Sequence, residues 1–312
     1  MAVGVTSTLA VPGPGAPSVG HVKAFLRLVV IEHSVFALPF AYLAVLYASY
    51  SHDDDRGHGV HWGALLLVTV ALVAARTFAM AVNRIVDRAL DARNPRTAQR
   101  ELVTGAVSVR TAAVGSAVAL LVFLVVAAAL SPLCLALAPV ALGLLVLYPY
   151  GKRFTWLCHA LLGLAQAVGP VAAWLATTGR WSWPSVLLGL AVGLWIGGFD
   201  LVYALQDLDH DRANGVFSLP ARFGAARALR VSEAAHLVTL ALFVGFGLAV
   251  GAGPLWYLGV AVTAVAFAYE HAIVSPTDLS RVNRSFFTTN GFVGVALFGF
   301  GLGDLLVRGL SR

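Results

Sequence analysis

The chain has 312 residues, of which 59% are hydrophobic and only 12% are charged, and its mean hydropathy is +0.83. A soluble globular chain is about 25% charged, so a soluble fold of this length could not bury so much apolar surface. These values exclude a secreted disulfide scaffold, a disordered regulator and a soluble nucleic-acid-binding protein. We therefore expect a lipid bilayer and no nucleic acid as partner, and we attribute the net charge of +6 to Arg residues between apolar runs.

The chain divides into a short tail and one long membrane domain. Residues 1–20 contain three prolines and no apolar core of a signal peptide, which predicts a flexible N-terminal tail. Residues 21–312 are predicted to form a single transmembrane domain. A spanning helix needs about 20 mostly apolar residues. Nine stretches meet this condition, at 28–48, 62–84, 111–130, 132–149, 155–178, 183–204, 232–251, 254–274 and 286–307.

Loop charges predict the orientation, because the cytoplasmic loops of membrane proteins collect Lys and Arg. With the N-terminus inside, sixteen of the 21 Lys and Arg residues fall in cytoplasmic segments and four in external ones. We therefore predict a multi-pass protein of the cell membrane with a cytoplasmic N-terminus. Two cytoplasmic loops, at about 85–110 and 205–231, are longer than a connection requires, and such added chain often carries function. This places the predicted site on the cytoplasmic side.

A polar stripe precedes the first long loop. Asn83, Asp87 and Asp91 are spaced by four, which places them on one face of a helix. Their oxygen atoms suit Mg²⁺ rather than zinc or copper. Arg76 lies on the same face and deeper in the membrane, where a charged side chain by default marks a functional site. The alternative for Arg76 is a packing or snorkelling role.

A second acidic stripe precedes the other long loop. Asp200, Asp207 and Asp211 share a helical face, whereas Asp209 points elsewhere. Mg²⁺ often binds through one or two carboxylates together with substrate phosphates. Two facing stripes therefore predict a diphosphate held between two metal ions. One such motif alone is usually a solvated helix face, but its occurrence at equivalent ends of two spans favours a site.

The turn at 148–153 connects the fourth and fifth predicted spans. In a functional interpretation, Lys152 and Arg153 contact phosphate and Tyr148 forms a hydrogen bond nearby. In the alternative interpretation, this is a positively charged cytoplasmic turn with interfacial tyrosines.

Three other polar residues are candidates for substrate binding. Glu32 and His33, at the start of the first span, contact a polar substrate or lie at the level of the lipid headgroups. Arg222, in the second long loop, contacts an anion or anchors an amphipathic loop.

The combined motifs resemble the UbiA superfamily of membrane prenyltransferases over residues 23–305. Residues 32–40 and 218–224 look like the bacterial branch described as 4-hydroxybenzoate polyprenyltransferase-like, some members of which act in the futalosine route to menaquinone. The resemblance implies an all-α bundle of nine transmembrane helices around a central cavity, a polyprenyl diphosphate donor and Mg²⁺. The family's metal-binding positions map onto Asn83, Asp87, Asp91, Asp207 and Asp211, and its basic residue maps onto Arg76.

The implied reaction transfers a prenyl group to an aromatic acid in the biosynthesis of ubiquinone or menaquinone. Mg²⁺, Arg76, Lys152 and Arg153 stabilise the departing diphosphate, whose charge grows as the C–O bond breaks. An electron-rich ring carbon of a hydroxybenzoate or a dihydroxynaphthoate then captures the allylic cation in a cavity that excludes water. Tyr203 offers an aromatic face to this cation. Asp200 orients Tyr203 or the acceptor.

Two other function classes are compatible with a polytopic membrane protein. A lipid phosphotransferase of the CDP-alcohol type uses carboxylates and Mg²⁺, but it needs one dense acidic stripe with an Asp-Gly pair, which this chain lacks. A transporter would carry ionisable residues on both sides of the membrane midplane. Here they concentrate on the predicted cytoplasmic side, which favours a site open to a diphosphate from the cytoplasm.

Overall fold

A computed structural model of the chain describes residues 21–29, 38–50 and 59–310. The predicted tail at 1–20 and the candidate residues Glu32 and His33 lie outside the described residues. Within them the chain is helical, apart from loops and one isolated bridge between Ser275 and Asp278. The α-helices are α1 (His21–Leu28), α2 (Leu38–Ser49), α3 (Trp62–Asp91), α4 (Glu101–Thr104), α5 (Val109–Leu130), α6 (Pro132–Gly151), α7 (Cys158–Thr178), α8 (Trp183–Ala204), α9 (Leu208–Ala213), α10 (Leu219–Phe223), α11 (Ala225–Ala249), α12 (Pro254–Ile273), α13 (Val282–Arg284) and α14 (Asn290–Leu310).

Seven helices in the described part of the chain are long and apolar enough to cross a membrane: α3, α5, α6, α7, α8 with its extension to Ala213, α11 and α14. The predicted helical membrane bundle is therefore confirmed, but the predicted number of nine spans is not. The described part of the first predicted span is the 12-residue α2. The 20-residue α12 is not among the seven, and Glu270 and His271 near its end make it more polar.

Proline, glycine and serine set the helix ends at two boundaries between predicted spans, the one between 111–130 and 132–149 and the one between 232–251 and 254–274. The Ser131 hydroxyl accepts a hydrogen bond from the N–H of Cys134 at 3.0 Å, and Pro132 occupies the start of α6, a position that suits proline. Gly251, with a φ of +58°, follows α11, and Pro254 begins α12. These residues divide long apolar runs into separate helices.

The helices form one bundle in which successive long helices pack together. Contacts join α3 to α5, α5 to α6, α6 to α7, α7 to α8, α8 to α11, α11 to α12 and α12 to α14, and α2 packs against both α7 and α14. Buried tryptophans link one half of the bundle. Trp195 Nε1 donates to Asn290 Oδ1 at 2.7 Å, and Trp256 Nε1 donates to the Phe243 carbonyl at 2.9 Å. Both indole N–H groups are therefore satisfied inside the protein.

Glycines bring α7 and α8 into backbone contact. A Cβ atom on Gly193 would lie 2.7 Å from the Gly163 carbonyl oxygen, and one on Gly189 would lie 2.6 Å from the Ala167 carbonyl oxygen. In lipid, helices associate through close van der Waals contact, because burying apolar side chains against each other has no advantage over lipid. This crossing therefore fixes the first half of α7 against the middle of α8.

The two ends of the bundle differ in composition. Trp62, Trp181 and Trp183 are 71%, 63% and 73% exposed at one end, where tryptophan is typical of a membrane interface. The opposite end contains the end of α3, the end of α8 and the beginning of α7. The predicted acidic stripes lie at this opposite end.

We predict that Gly193→Ala destabilises the protein relative to Gly143→Ala. The added methyl group meets the α7 backbone at Gly193, whereas nothing lies within 4 Å of the corresponding position at Gly143. Overpacking of this kind costs about 1–3 kcal/mol. The thermal unfolding midpoints of both variants in detergent measure the difference. Equal midpoints would contradict the prediction, because they would show that α7 and α8 accommodate the added methyl group at no cost in stability.

Candidate active site

A cleft of about 240 Å³ opens at the end of the bundle that carries the charged residues. α3, α6, α7 and α8 form its walls, and residues after α3 and α8 form its rim. The predicted site residues that line it are Asn83, Asp87, Asp91, Tyr148, Lys152, Asp200, Tyr203, Asp207 and Asp211. The structure thus brings both acidic stripes and the turn after α6 to one space.

The second stripe does not follow one continuous helix. α8 ends at Ala204, Leu205–Asp207 form a 3₁₀ turn, and α9 begins at Leu208. A 3₁₀ turn is more tightly wound than an α-helix, so it changes the direction in which the following side chains point. Asp207 and Asp211 nevertheless line the cleft, whereas Asp209 is exposed and lies outside the lining. The helical face predicted for Asp200, Asp207 and Asp211 is therefore interrupted by the 3₁₀ turn.

Asp87 is buried between two basic residues. Its side chain is 1% exposed, Lys152 Nζ forms an ion pair with Oδ2, and Arg153 Nη1 donates to Oδ1 at 3.0 Å. Arg153 also donates to the carbonyls of Pro149 at 2.9 Å and Val86 at 2.8 Å. The turn after α6 is therefore fastened to α3 through the Asp87 carboxylate and the Val86 carbonyl.

The segment between α3 and α4 crosses to the α8 side of the cleft. Arg96 forms an ion pair with Asp207, and its Nε donates to Asp207 Oδ1 at 2.9 Å. Asn94 Nδ2 donates to the same oxygen at 2.8 Å, and Arg96 Nη1 donates to the Tyr203 hydroxyl at 3.0 Å. Burial lowers the pKa of Arg96, but its hydrogen bonds to Asp207 and the charge of Asp207 raise it, and the net pKa lies above the ordinary value.

Arg100 completes the set of basic partners. Its Nη1 lies 2.6 Å from Asp91 Oδ1, and the Asp91 side chain is 8% exposed. In the sequence, Arg96 and Arg100 stand out only as positive loop charges. The one sequence feature that indicates a further role is the length of their loop, because the shortest possible connection would not reach Asp207.

An unpredicted histidine lies at the inner end of the cleft. His159 Nδ1 is 2.7 Å from Asp200 Oδ2, and His159 is 7% exposed. Its Nε2 has no hydrogen-bond partner among the described residues. Elsewhere in the lining of the cleft, Asn83 Nδ2 donates to the Tyr148 hydroxyl at 3.3 Å. His159 is a single histidine near the start of an apolar helix. It forms no spaced motif with other polar residues, so the sequence does not identify it as a site residue.

Arg76 lies outside the cleft in which the prediction places it. Seven residues separate it from Asn83, which corresponds to about 10 Å along a helix. It lines a second, deeper cavity of about 120 Å³ together with Gln166, and Tyr148 lines both spaces. Arg76 is the one charged residue among the described residues of this lining, and its buried Nε has no hydrogen-bond partner among them.

Arg222 also lies apart from the cleft. It is exposed on the short α10, with its guanidinium 5.4 Å from the centre of the Phe223 ring. The residue of this motif that lines the cleft is Ser218, whose hydroxyl donates to Asp211 Oδ2 at 2.9 Å. The hydroxyl of Ser218 also accepts from the N–H of Ala221 at 3.2 Å and so caps α10.

The cleft offers carboxylate and amide oxygens, which are the ligands that Mg²⁺ prefers. Within the described ranges, no group of three or more His, Cys, Asp or Glu side chains could hold a metal ion. Mg²⁺ usually keeps several waters and binds through one or two carboxylates plus substrate phosphates. The residues of the cleft therefore fit a cation that binds together with a phosphate-bearing substrate.

Known sequences identify relatives of this chain. The sequence model described as the UbiA prenyltransferase family matches residues 35–292. The 4-hydroxybenzoate octaprenyltransferase of Alkalilimnicola ehrlichii is 32% identical over 235 residues, which cover 75% of this chain and 80% of that protein. The protein of the same name from Pseudomonas fluorescens is 33% identical over 243 residues, which cover 75% and 78%.

Solved structures share the fold. The apo structure of a UbiA homolog from Aeropyrum pernix K1 superposes with a TM-score of 0.77 at 35% identity, covering 87% of this chain and 97% of that one. A UbiA homolog from Archaeoglobus fulgidus bound to GPP and Mg²⁺ superposes with a TM-score of 0.68 at 20% identity, covering 91% and 99%.

We predict that Asp87→Asn lowers the free energy of unfolding, because it removes the shared partner of Lys152 and Arg153. Loss of hydrogen bonds to charged groups at a buried position costs about 1–3 kcal/mol. Asp209→Asn is the matched control, since Asp209 is exposed. The thermal unfolding midpoints in detergent are compared without substrate. If both variants unfold at the same temperature, the turn after α6 does not depend on Asp87.

Proposed function

The chain belongs to the UbiA prenyltransferase family, and from this premise we propose that it transfers a polyprenyl group from a polyprenyl diphosphate to an aromatic acid in quinone biosynthesis. The observation that carries the proposal is one cleft whose lining combines two acidic stripes with the basic side chains of Arg96, Arg100 and Lys152. Arg153 pairs with Asp87 from the turn after α6. Acidic residues alone would repel a diphosphate, and basic residues alone would hold it without a metal. Their combination suits a diphosphate that binds with divalent cations.

The carboxylates of the cleft would hold the metal. Mg²⁺ would bind to oxygens among Asn83, Asp87, Asp91, Asp207 and Asp211, and its charge would favour cleavage of the bond between the prenyl carbon and the diphosphate. In the structure, ion pairs with Lys152, Arg153, Arg96 and Arg100 neutralise three of these carboxylates, those of Asp87, Asp91 and Asp207. We propose that the basic groups exchange partners, leaving the carboxylates for the phosphate oxygens of the donor.

The deeper cavity suits the carboxylate end of the acceptor. Arg76 presents a guanidinium whose planar fork matches a carboxylate, and Gln166 adds an amide. Apolar residues form the rest of the lining, which suits an aromatic ring. An acceptor anchored at Arg76 extends towards Tyr148, where the cavity meets the cleft. This assigns Arg76 to the acceptor rather than to the departing diphosphate.

Between the two binding regions, the protein needs a surface that does not react with an allylic cation. Leu162 and Ala204 contribute apolar surface to the cleft, and Tyr203 contributes an aromatic ring. An aromatic face attracts a cation but, unlike water, has no oxygen lone pair that reacts with it. In the structure, Arg96 donates to the Tyr203 hydroxyl and its guanidinium lies 5.2 Å from the centre of the ring, so movement of Arg96 to the diphosphate would uncover this ring. Exclusion of water here favours prenyl transfer over hydrolysis.

The relatives' name favours a hydroxybenzoate acceptor, and a dihydroxynaphthoate of the menaquinone route is the alternative. We also propose that the N-terminus and the cleft face the cytoplasm of the cell that makes the protein. The excess of Lys and Arg at the cleft end supports this orientation. The exposed tryptophans at the other end support an interface there.

We predict that prenyl transfer requires a divalent cation and Asp207. Purified protein with octaprenyl diphosphate and 4-hydroxybenzoate should lose activity in excess EDTA and regain it with Mg²⁺. Asp207→Asn should lower turnover by about 100-fold or more, because it weakens stabilisation of the departing diphosphate. Asp209→Asn, on the exposed side of α9, should retain turnover. Full activity in EDTA, or of Asp207→Asn, would refute the metal site.

We predict that Arg76→Gln raises KM for the aromatic acid by about 10- to 100-fold, since a hydrogen bond to a charged group contributes about 1.5–3 kcal/mol. KM for the prenyl diphosphate should stay near that of the wild type. Arg84→Gln is the control on the same helix, because Arg84 lies outside both cavities and donates to the Leu28 carbonyl. If Arg76→Gln raises only the KM for the prenyl diphosphate, Arg76 binds the diphosphate of the donor and not the acceptor.

A further inference from the structure

The carboxylates of the cleft differ in the kind of partner that they contact. Asp87, Asp91 and Asp207 are paired with Lys or Arg, and Asp211 accepts from the Ser218 hydroxyl. The imidazole of His159 is the partner of Asp200, at 2.7 Å. Lys and Arg keep their protons at neutral pH, whereas an imidazole is a common participant in proton transfer. Asp200 is therefore suited to a different task from the others.

Asp200 also lies deeper along its wall of the cleft than Asp207 and Asp211. It lies within α8, one turn before that helix ends at Ala204, whereas Asp207 ends the 3₁₀ turn that follows and Asp211 lies on α9. Its side chain is 26% exposed and lines the cleft together with Tyr148, which also lines the cavity of Arg76. A donor held at the rim and an acceptor held by Arg76 would meet in this inner part of the cleft.

The position of His159 is fixed by helix packing. His159 lies one turn before Gly163 on α7, and Asp200 lies one turn after Gly197 on α8. A Cβ atom on Gly197 would lie 3.2 Å from the His159 carbonyl oxygen, so the two backbones are in contact at this level. The imidazole is 8% exposed and holds Oδ2 of Asp200, which leaves Oδ1 as the oxygen available to another group.

The proposed reaction releases one proton from the acceptor ring. The C–O bond of the donor breaks and its electron pair leaves with the diphosphate. A π-electron pair of the acceptor, at a carbon next to its hydroxyl, forms the new C–C bond. The resulting cationic ring must lose the hydrogen of that carbon as a proton, and the C–H electron pair restores the aromatic ring. A base near the reacting carbon has to accept this proton.

We propose that Asp200 accepts the ring proton through Oδ1 and releases it to water as the products leave, and that His159 is the positioning residue that holds Oδ2. With its proton on Nδ1, the imidazole donates to the carboxylate before the transfer and to the neutral acid after it. This assignment rests on the proposed prenyl transfer. It gives Asp200 and His159 a role separate from binding of the diphosphate or of the metal.

A deuterium isotope effect separates this role from a structural one. Turnover is measured with 4-hydroxybenzoate carrying either hydrogen or deuterium at both ring positions next to the hydroxyl. The proteins are wild type, Asp200→Asn, Asp200→Glu, His159→Gln and, as matched control, His236→Gln. His236 is a buried histidine on α11 that contacts His271 at 3.0 Å and lies outside the cleft. Thermal unfolding midpoints identify variants that fail to fold.

In the wild type, we expect C–O cleavage to limit turnover and deuterium to have little effect. Asp200→Asn should lower turnover by about 100-fold or more, the contribution typical of a general base, and should show a primary isotope effect because proton loss becomes limiting. Asp200→Glu keeps a carboxylate and should recover part of the turnover with a smaller isotope effect. His159→Gln should show an intermediate loss and an isotope effect larger than that of the wild type. His236→Gln should keep the wild-type isotope ratio.

Two results would overturn the assignment. One is wild-type turnover in folded Asp200→Asn. The other is a loss of turnover in Asp200→Asn and His159→Gln with the isotope ratio of the wild type, which would make both residues structural. If the wild type prenylates only a dihydroxynaphthoate, the hydroxybenzoate proposal fails, and the same comparison is made with that acceptor deuterated in its hydroxylated ring. A wild type that prenylates neither acceptor would remove the proposed function, and the proton-transfer role with it.

Discussion

Asp87 is almost fully buried at the end of a long apolar helix, and a carboxylate at such a position needs positive partners. Lys152 and Arg153 supply them from the turn after α6. The same requirement explains the course of the segment after α3, since Arg100 returns to Asp91 and Arg96 reaches Asp207 on the other wall. Charge compensation thus determines where the turns and loops around the cleft lie. The apolar bundle supplies only the walls that these contacts join.

The walls depend on a different interaction. Lipid surrounds the bundle, so apolar side chains gain little by leaving it, and close backbone contact has to hold helices together. The glycines of α7 and α8 allow this contact, with Gly193 and Gly197 facing the backbone of α7. One consequence is local to the cleft, because the same crossing presents His159 to Asp200. The polar site therefore depends on small residues that carry no polar group themselves.

Sequence patterns predict the part of this arrangement that lies within single helices. Hydropathy predicts the helical bundle, and a spacing of four predicts that Asp87 and Asp91 face the same way. Periodicity says nothing about which other helix approaches that face, so it does not pair Arg96 with Asp207 or identify His159. It assigns Arg76 to the correct face but not to a separate cavity, because depth along a helix matters as much as direction. The count of nine spans follows from apolar length and from helix-breaking residues, and the described part of the chain does not confirm it. Polar residues near the end of α12 lower the hydropathy of that helix, which is not among the seven spanning helices.

The pairing of acids and bases across the cleft also constrains how substrates enter. A diphosphate that attracts Lys152, Arg96 and Arg100 removes positive charge from carboxylates that are partly or fully shielded from water. Those carboxylates then need another cation. A divalent ion that contacts both carboxylate and phosphate oxygens would neutralise negative charge on the protein and on the diphosphate. A metal ion alone would instead have to displace basic groups that have no new partner. Under the proposed function, donor and metal binding would therefore be coupled, each strengthening the other by the same factor. The ion pairs of the structure show the other way to neutralise these carboxylates, with the protein's own basic residues, in a membrane environment where unpaired charge is costly.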